Sequence, residues 1–394
     1  MRAGRRAGVG VLILACAFAL AGCAGPRKAT ELSFLSGSDE RAAGPALRFR
    51  WSLALDQELR SRSVPVEQAA PGIDREGGRV FIGSTRGVLL ALDADGKQIF
   101  RLDMPGAIEA EPTIDGATGE VYVATVTGDV LALDADTGEE RWRAQVGSSV
   151  SRPGLLRSDA LYLVTDEDTV LALARNTGEI LWRYRRDPRS GFGITGHAGL
   201  AAAGHRLLTG FSDGTVAALD AGDGRVLWET DTSVDLEDLD ETRRFVDVDT
   251  TPVVAGDLVF AASFSGGLYA MELDSGTVTH HDAELLGVTG LAADQDSLVV
   301  SSADKGIVTL DLRSLTPRWT RHVERGAPGQ PIIAGNRVFI PESRGALLAL
   351  SLADGSEVGR LETAHGITAG PSLAGGLGFT LSNGGTLYAF AYPY

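Results

Sequence analysis

Short apolar runs of four to seven residues, cut by Gly, Asp and Ser, recur from residue 47 almost to the end of the chain. Arg79-Val-Phe-Ile-Gly83 is followed by a turn and then by Val88-Leu-Leu-Ala-Leu92. The same rhythm returns in Leu258-Val-Phe-Ala-Ala262 and Leu268-Tyr-Ala-Met-Glu272. Runs of this length between turn formers predict antiparallel strands. No amphipathic helical stretch of useful length interrupts them.

The runs belong to a repeating unit, well shown by Gly128-Asp-Val-Leu-Ala-Leu-Asp-Ala-Asp-Thr-Gly-Glu-Glu-Arg-Trp142. Equivalent turn positions fall at 87, 128, 168, 214, 266, 306, 345 and 385, giving intervals of 41, 40, 46, 52, 40, 39 and 40. Trp142, Trp182 and Trp228 each follow their turn position by 14 residues, and Trp319 follows Gly306 by 13. One aromatic per repeat marks one packing slot used many times. Four short strands in a unit of about 40 residues predict a β-propeller blade. The expected fold is therefore all-β: an eight-bladed propeller of four-stranded antiparallel blades over residues 47–394. The last repeat stops after its third strand, whereas Trp51 lies in an orphan run, Leu47 to Leu55, before the first repeat. That run is expected to complete the eighth blade and close the ring without a free edge.

The ends add a second layer. Arg2, Arg5 and Arg6 precede an apolar run from Val9 to Leu20, too short to span a bilayer comfortably. It ends in Leu20-Ala-Gly-Cys23, which resembles a bacterial lipobox. Residues 1–22 then read as a lipoprotein signal peptide, with Cys23 as the lipidation site and residues 23–46 as a flexible tether. Ala24 rather than Asp follows Cys23, so the expected address is the periplasmic face of the outer membrane, held there by the lipid anchor alone. The other cysteine, Cys16, lies inside the removed segment, so the folded domain is expected to have no disulfide and to rely on apolar burial.

The chain carries a formal charge of −16. Removing three arginines leaves 33 basic against 52 acidic residues, or −19. This argues against nucleic acid as a partner.

Two motifs that name chemistry elsewhere lose their meaning in this register. Gly210-Phe-Ser-Asp-Gly214 matches the G-x-S-x-G nucleophile elbow, but the repeat puts it in the turn between second and third strands. Gly191-Phe-Gly-Ile-Thr-Gly196 matches G-x-G-x-x-G, yet no helix pattern follows. The six histidines show no metal-ligand spacing, and His280 falls in a Trp slot as an eroded packing position. No catalytic residue, metal site or cofactor is expected.

The two long intervals are more informative. Tyr184 to Gly196 joins blades 3 and 4, with basic residues and the apolar pair Phe192 and Ile194. Glu229 to Asp249 joins blades 4 and 5 and is acidic, with Arg243-Arg244. Both connect a fourth strand to the next first strand, so both should emerge on one face beside blade 4. Extra loops on one face of a scaffold commonly carry binding.

The Ala-Leu-Asp-x-x-Thr-Gly-x-x-x-Trp repeat resembles the pyrroloquinoline-quinone-type propeller repeat. With the lipobox and Asp247-Val-Asp-Thr-Thr-Pro-Val-Val254, it resembles the BamB family, lipoproteins of the outer-membrane β-barrel assembly machinery. That resemblance implies a non-catalytic scaffold docking on the periplasmic POTRA domains of BamA. Unfolded outer-membrane protein precursors would be a further class of partner. It assigns partner contacts to Phe192, Ile194 and Thr195, the last standing where the family has Arg, and to Arg243, Asp247 and Asp249. The two aspartates are expected as exposed carboxylates beside an apolar knob. Two other classes share part of the pattern: a propeller lipoprotein with an unrelated periplasmic partner, and a quinone-dependent dehydrogenase. The second would need calcium ligands and a catalytic acid that the repeat alone does not supply.

Overall fold

The computed structural model describes residues 47–55, 66–74, 78–186, 197–233 and 245–393. These form eight four-stranded antiparallel sheets, the blades of a propeller. Seven blades are built in chain order, A to D, from the hub outwards. Blade 2, for example, comprises Thr113–Asp115, Glu120–Ala124, Asp129–Asp134 and Glu140–Gln145. Blade 8 takes three strands from the end of the chain and its fourth, Arg48–Ala54, from the beginning. There Trp51 pairs with Ala389. The predicted closure of the ring is observed.

The middle strands are buried and mostly apolar along their central positions because each blade is covered on both faces by its neighbours. In Asp129–Asp134 the four central residues are all buried. Val130 and Ala132 join the cluster facing blade 3, while Leu131 and Leu133 join the one facing blade 1. Eight such clusters fill the eight blade–blade interfaces. A continuous apolar run is what a doubly covered strand requires.

The Trp slot has one geometry throughout. Trp142, Trp182, Trp228 and Trp51 each sit across from an alanine in the neighbouring third strand, and Trp319 sits across from Thr309. A small residue there makes room for the indole. Each indole Nε1 donates to a carbonyl of the following blade: Trp182 to Ala221 at 3.1 Å, Trp228 to Leu273 at 2.9 Å and Trp319 to Leu352 at 2.9 Å. The ring presses on the glycine of the turn before the fourth strand of that same blade. At Gly178 (φ +72°) a β-carbon would stand 2.9 Å from Trp142 Cδ2. The repeated turn glycine and the repeated Trp are thus two halves of one inter-blade contact.

Blade 1 fills the slot with Phe100, opposite Ala91 and against Gly138, and two further blades carry neither Trp nor Phe there. In blade 5 the slot holds His280, opposite Ala270 and exposed. The turn it would face in blade 6 carries Leu315, not glycine, held at φ 54° and packed against the interface core. In blade 7 the slot holds Gly359. The next blade has no such turn, because its fourth strand comes from the other end of the chain.

Candidate functional site

Backbone bonds fix which loops share a face. The connector leaving blade 1 bonds the turn between that blade's second and third strands, Met104 N to Gly87 O at 2.6 Å and Ile108 N to Ser84 O at 2.9 Å. Blade 4 repeats the arrangement with Val248 N to Phe211 O at 3.2 Å. Among the described residues the D-to-A connectors therefore lie with the B–C turns on one face, and the described ends of both long intervals flank blade 4 there.

Arg186 anchors the start of the first insertion. It follows the fourth strand of blade 3, Ile180–Arg185, and reaches across to blade 4. Its Nε donates to Asp213, its Nη1 lies 2.9 Å from Glu229, and its Nη2 donates to Thr215 Oγ1 at 2.8 Å. The guanidinium also stands 5.7 Å from the centre of the Phe211 ring. Tyr184 adds a hydroxyl bond to Glu229 at 2.7 Å. Burial opposes the cation, but Asp213, Tyr184 and Glu229 together hold Arg186 well above the ordinary arginine value.

His197 anchors the end of that insertion. Its backbone oxygen accepts from Arg152 Nε, which comes from the connector between blades 2 and 3. Its Nδ1 stands 3.7 Å from Asp168. Asp168 occupies the turn position that is glycine in the other seven repeats, and it accepts the left-handed conformation at φ 54°. A short polar side chain tolerates that region better than a bulky one. Its carboxylate also accepts Ser212 N at 3.2 Å and the Ser212 hydroxyl. Burial opposes ionisation of Asp168, but His197 and Ser212 outweigh it and keep its pKa below the usual carboxylate value.

Asp247 and Asp249 enter from the second insertion and join this cluster. Here the expectation of exposed carboxylates fails: Asp247 is 5% exposed and Asp249 is half-buried. The connector turns inward because Val248 seats fully buried against blade 4, above Gly210, where any side chain would collide with it. The flanking aspartates are carried inward with Val248. Burial, then the Asp247 charge, pushes the Asp249 carboxyl up to about 7, against the pull of His197 and Arg152. Burial works against a protonated His197, yet Asp168, Asp166 and Asp249 raise its pKa above the ordinary value. Farther along the rim, burial and then Asp166 raise Glu109.

The G-x-S-x-G serine is placed by this geometry. Ser212 Oγ gives its hydrogen to Asp168, and the imidazole addresses the other side of the same carboxylate. A nucleophile needs its hydroxyl on the base, not on the acid that orients the base. Among the described residues no group of three or more His, Cys, Asp or Glu could hold a metal ion.

Of the residues assigned to partner contact, Phe192, Ile194, Thr195 and Arg243 lie outside the described residues, as does Cys23. At the end of the second insertion, Phe245 makes an edge contact with Phe264 of blade 5, ring centres 6.1 Å apart, and its N–H reaches Ser265 Oγ at 3.1 Å. Both rings are half-buried. The structure thus adds Arg152, Asp168, Tyr184, Arg186, His197, Asp213, Glu229, Phe245 and Phe264 to the site. Asp168 alone carried a signal in the sequence, as a departure from glycine at a repeated turn.

Known proteins were compared with this chain. A family model described as outer membrane protein assembly factor BamB matches residues 117–321. BamB of Pseudomonas aeruginosa is 27% identical over 190 residues, 48% of this chain and 50% of that protein. BamB of Burkholderia pseudomallei is 28% identical over 257 residues, 64% of this chain and 66% of that protein. The chain thus spans about half to two thirds of the length of these curated relatives. The crystal structure of BamB from Moraxella catarrhalis superposes with a TM-score of 0.72 at 22% identity, over 88% of this chain and all of that one.

Proposed function

The chain belongs to the BamB family, and on that premise we propose that it is a non-catalytic scaffold lipoprotein of the outer-membrane β-barrel assembly complex. It is anchored through Cys23 to the periplasmic face of the outer membrane. It docks on the POTRA domains of a BamA-like barrel protein and assists folding and insertion of outer-membrane proteins.

The observation that carries this reading is the seating of the described ends of both long connectors on one face beside blade 4. Clamped ends hold a loop in register on a rigid frame, which lowers the ordering cost of binding. Phe192, Ile194, Thr195 and Arg243 would supply the exposed contacts. Asp249, half-buried with Asp247 behind it, would supply negative potential for a basic partner surface.

The direct test is capture of the acylated protein from its own envelope in mild detergent. The proposal expects a BamA-like barrel protein in the eluate. Its absence, under conditions that keep other envelope complexes intact, would contradict the proposal.

A further inference from the structure

Three successive connectors on the docking face are sewn together by side chains that the fold does not otherwise need. Arg152, entering blade 3, donates to the backbone oxygen of His197, entering blade 4. Gly199 N, two residues on, donates 2.9 Å to Thr251 Oγ1, entering blade 5. Between these stitches lie the carboxylates. Asp249 is faced by Asp247 on its own connector, by His197 and Arg152 on the other two, and by Asp168 from the B–C turn of blade 3. His197 is faced by Asp168, Asp166 and Asp249. Asp166 is further held by the Ser151 hydroxyl at 2.6 Å.

We propose that these connectors form a proton-operated latch, closed while the cluster holds its protons and loosened when it loses them. The charge balance gives the direction. With Asp249 neutral and His197 cationic, Arg152 and His197 oppose Asp166, Asp168 and Asp247, a net of 2 − 3 = −1. With both protons gone, Arg152 alone opposes four carboxylates, a net of 1 − 4 = −3. Both losses add negative charge to a half-buried site, where repulsion is poorly screened. The Asp249 carboxyl, raised to about 7, places the change near neutrality, and His197 is raised in the same sense by the carboxylates around it. The latch belongs to the chain itself and operates whether or not the partner assignment holds.

Hydrogen exchange of the full-length protein in detergent tests it, read at the amides of residues 198–200 and 246–250 after correction for intrinsic rates. Between pH 6 and pH 8 the wild type is expected to lose roughly tenfold in protection there, while the strands of blade 7 stay unchanged. Asp249→Asn should match the wild type at pH 6 and lose only part of that protection by pH 8, its net going from −1 to −2. His197→Gln should already be partly open at pH 6, at a net of −2, and fall to the open level by pH 8 as Asp249 ionises. Equal corrected protection at the two pH values, or an undiminished loss in Asp249→Asn, overturns the latch. The different pH 6 levels of the two variants, with the blade 7 strands unchanged in both, separate it from simple damage to the fold.

Discussion

The ring of Trp142 occupies the space that a side chain on Gly178 would need, and its Nε1 donates 2.6 Å to Arg175 O in the same turn. Blade 2 therefore grips blade 3 through a position where only glycine fits. Gly178→Ala should lower stability by about 1–3 kcal/mol through overpacking, beyond the cost of the left-handed backbone. Gly204→Ala isolates that second cost, since Gly204 has φ +59° and open space around it, and should lose only about 1 kcal/mol. Urea midpoints measure both. Equal losses would show that the ring contact contributes nothing.

The exchange of Trp for His280 and of Gly for Leu315 at one interface predicts coupling. His280→Trp alone drives an indole against Leu315, and Leu315→Gly alone removes a side chain from the core cluster between blades 5 and 6. Together they rebuild the contact found at the other interfaces. A double-mutant cycle should show the pair less harmful than the sum of the singles by about 0.5–3 kcal/mol. Strict additivity would count against the shared slot.

These contacts explain why the fold was legible. The Trp, the small residue across from it and the turn glycine recur within one short stretch, so repetition exposes them. Counting strands in the last repeat was enough to place Arg48–Ala54 in blade 8. The site was legible only as loop length. Arg186 and Asp213 are 27 residues apart, and Arg152 and His197 are 45 apart, each pair on different blades and without a repeated counterpart. Asp247 and Asp249 look like surface acids because carboxylates ordinarily stay in solvent. The burial of Val248 between them, set by its fit over Gly210, turns them inward.

Arg186→Ala leaves Asp213, itself 8% exposed, without its cation. The loss should be about 1.5–3 kcal/mol, as for charged hydrogen bonds elsewhere. Arg186→Lys keeps the charge but not the fork that reaches Asp213, Glu229 and Thr215 together, so it should recover less than half. Thermal unfolding checks both. Wild-type stability in Arg186→Ala would remove this clamp from the account.

The pH profile has a definite sign. Asp249 in the folded chain titrates near 7, above its value of about 4 when unfolded. Its contribution is therefore complete below pH 4 and is lost as pH rises to 7. His197, also raised, acts in the same direction from about pH 6.5 upward. Asp249→Asn should match the wild type near pH 4 and exceed it at pH 8 by on the order of 2 kcal/mol, allowing for partial screening. Parallel profiles from pH 4 to 8 would show that Asp249 titrates normally.

The burial of Asp247 also decides how the docking claim must be tested. A charge reversal there would break the connector as well as the interface. The cleaner variant alters Phe192 and Ile194 together. The measurement is binding of the purified protein to the isolated POTRA domains of its own BamA-like partner, with the wild type beside Phe192→Ala/Ile194→Ala and with unfolding midpoints matched first. The account predicts saturable binding by the wild type, weakened at least about tenfold in the variant, the cost expected for truncating an interface anchor. Equal binding by the two proteins would contradict the assigned surface, and no binding by the wild type would contradict the scaffold itself.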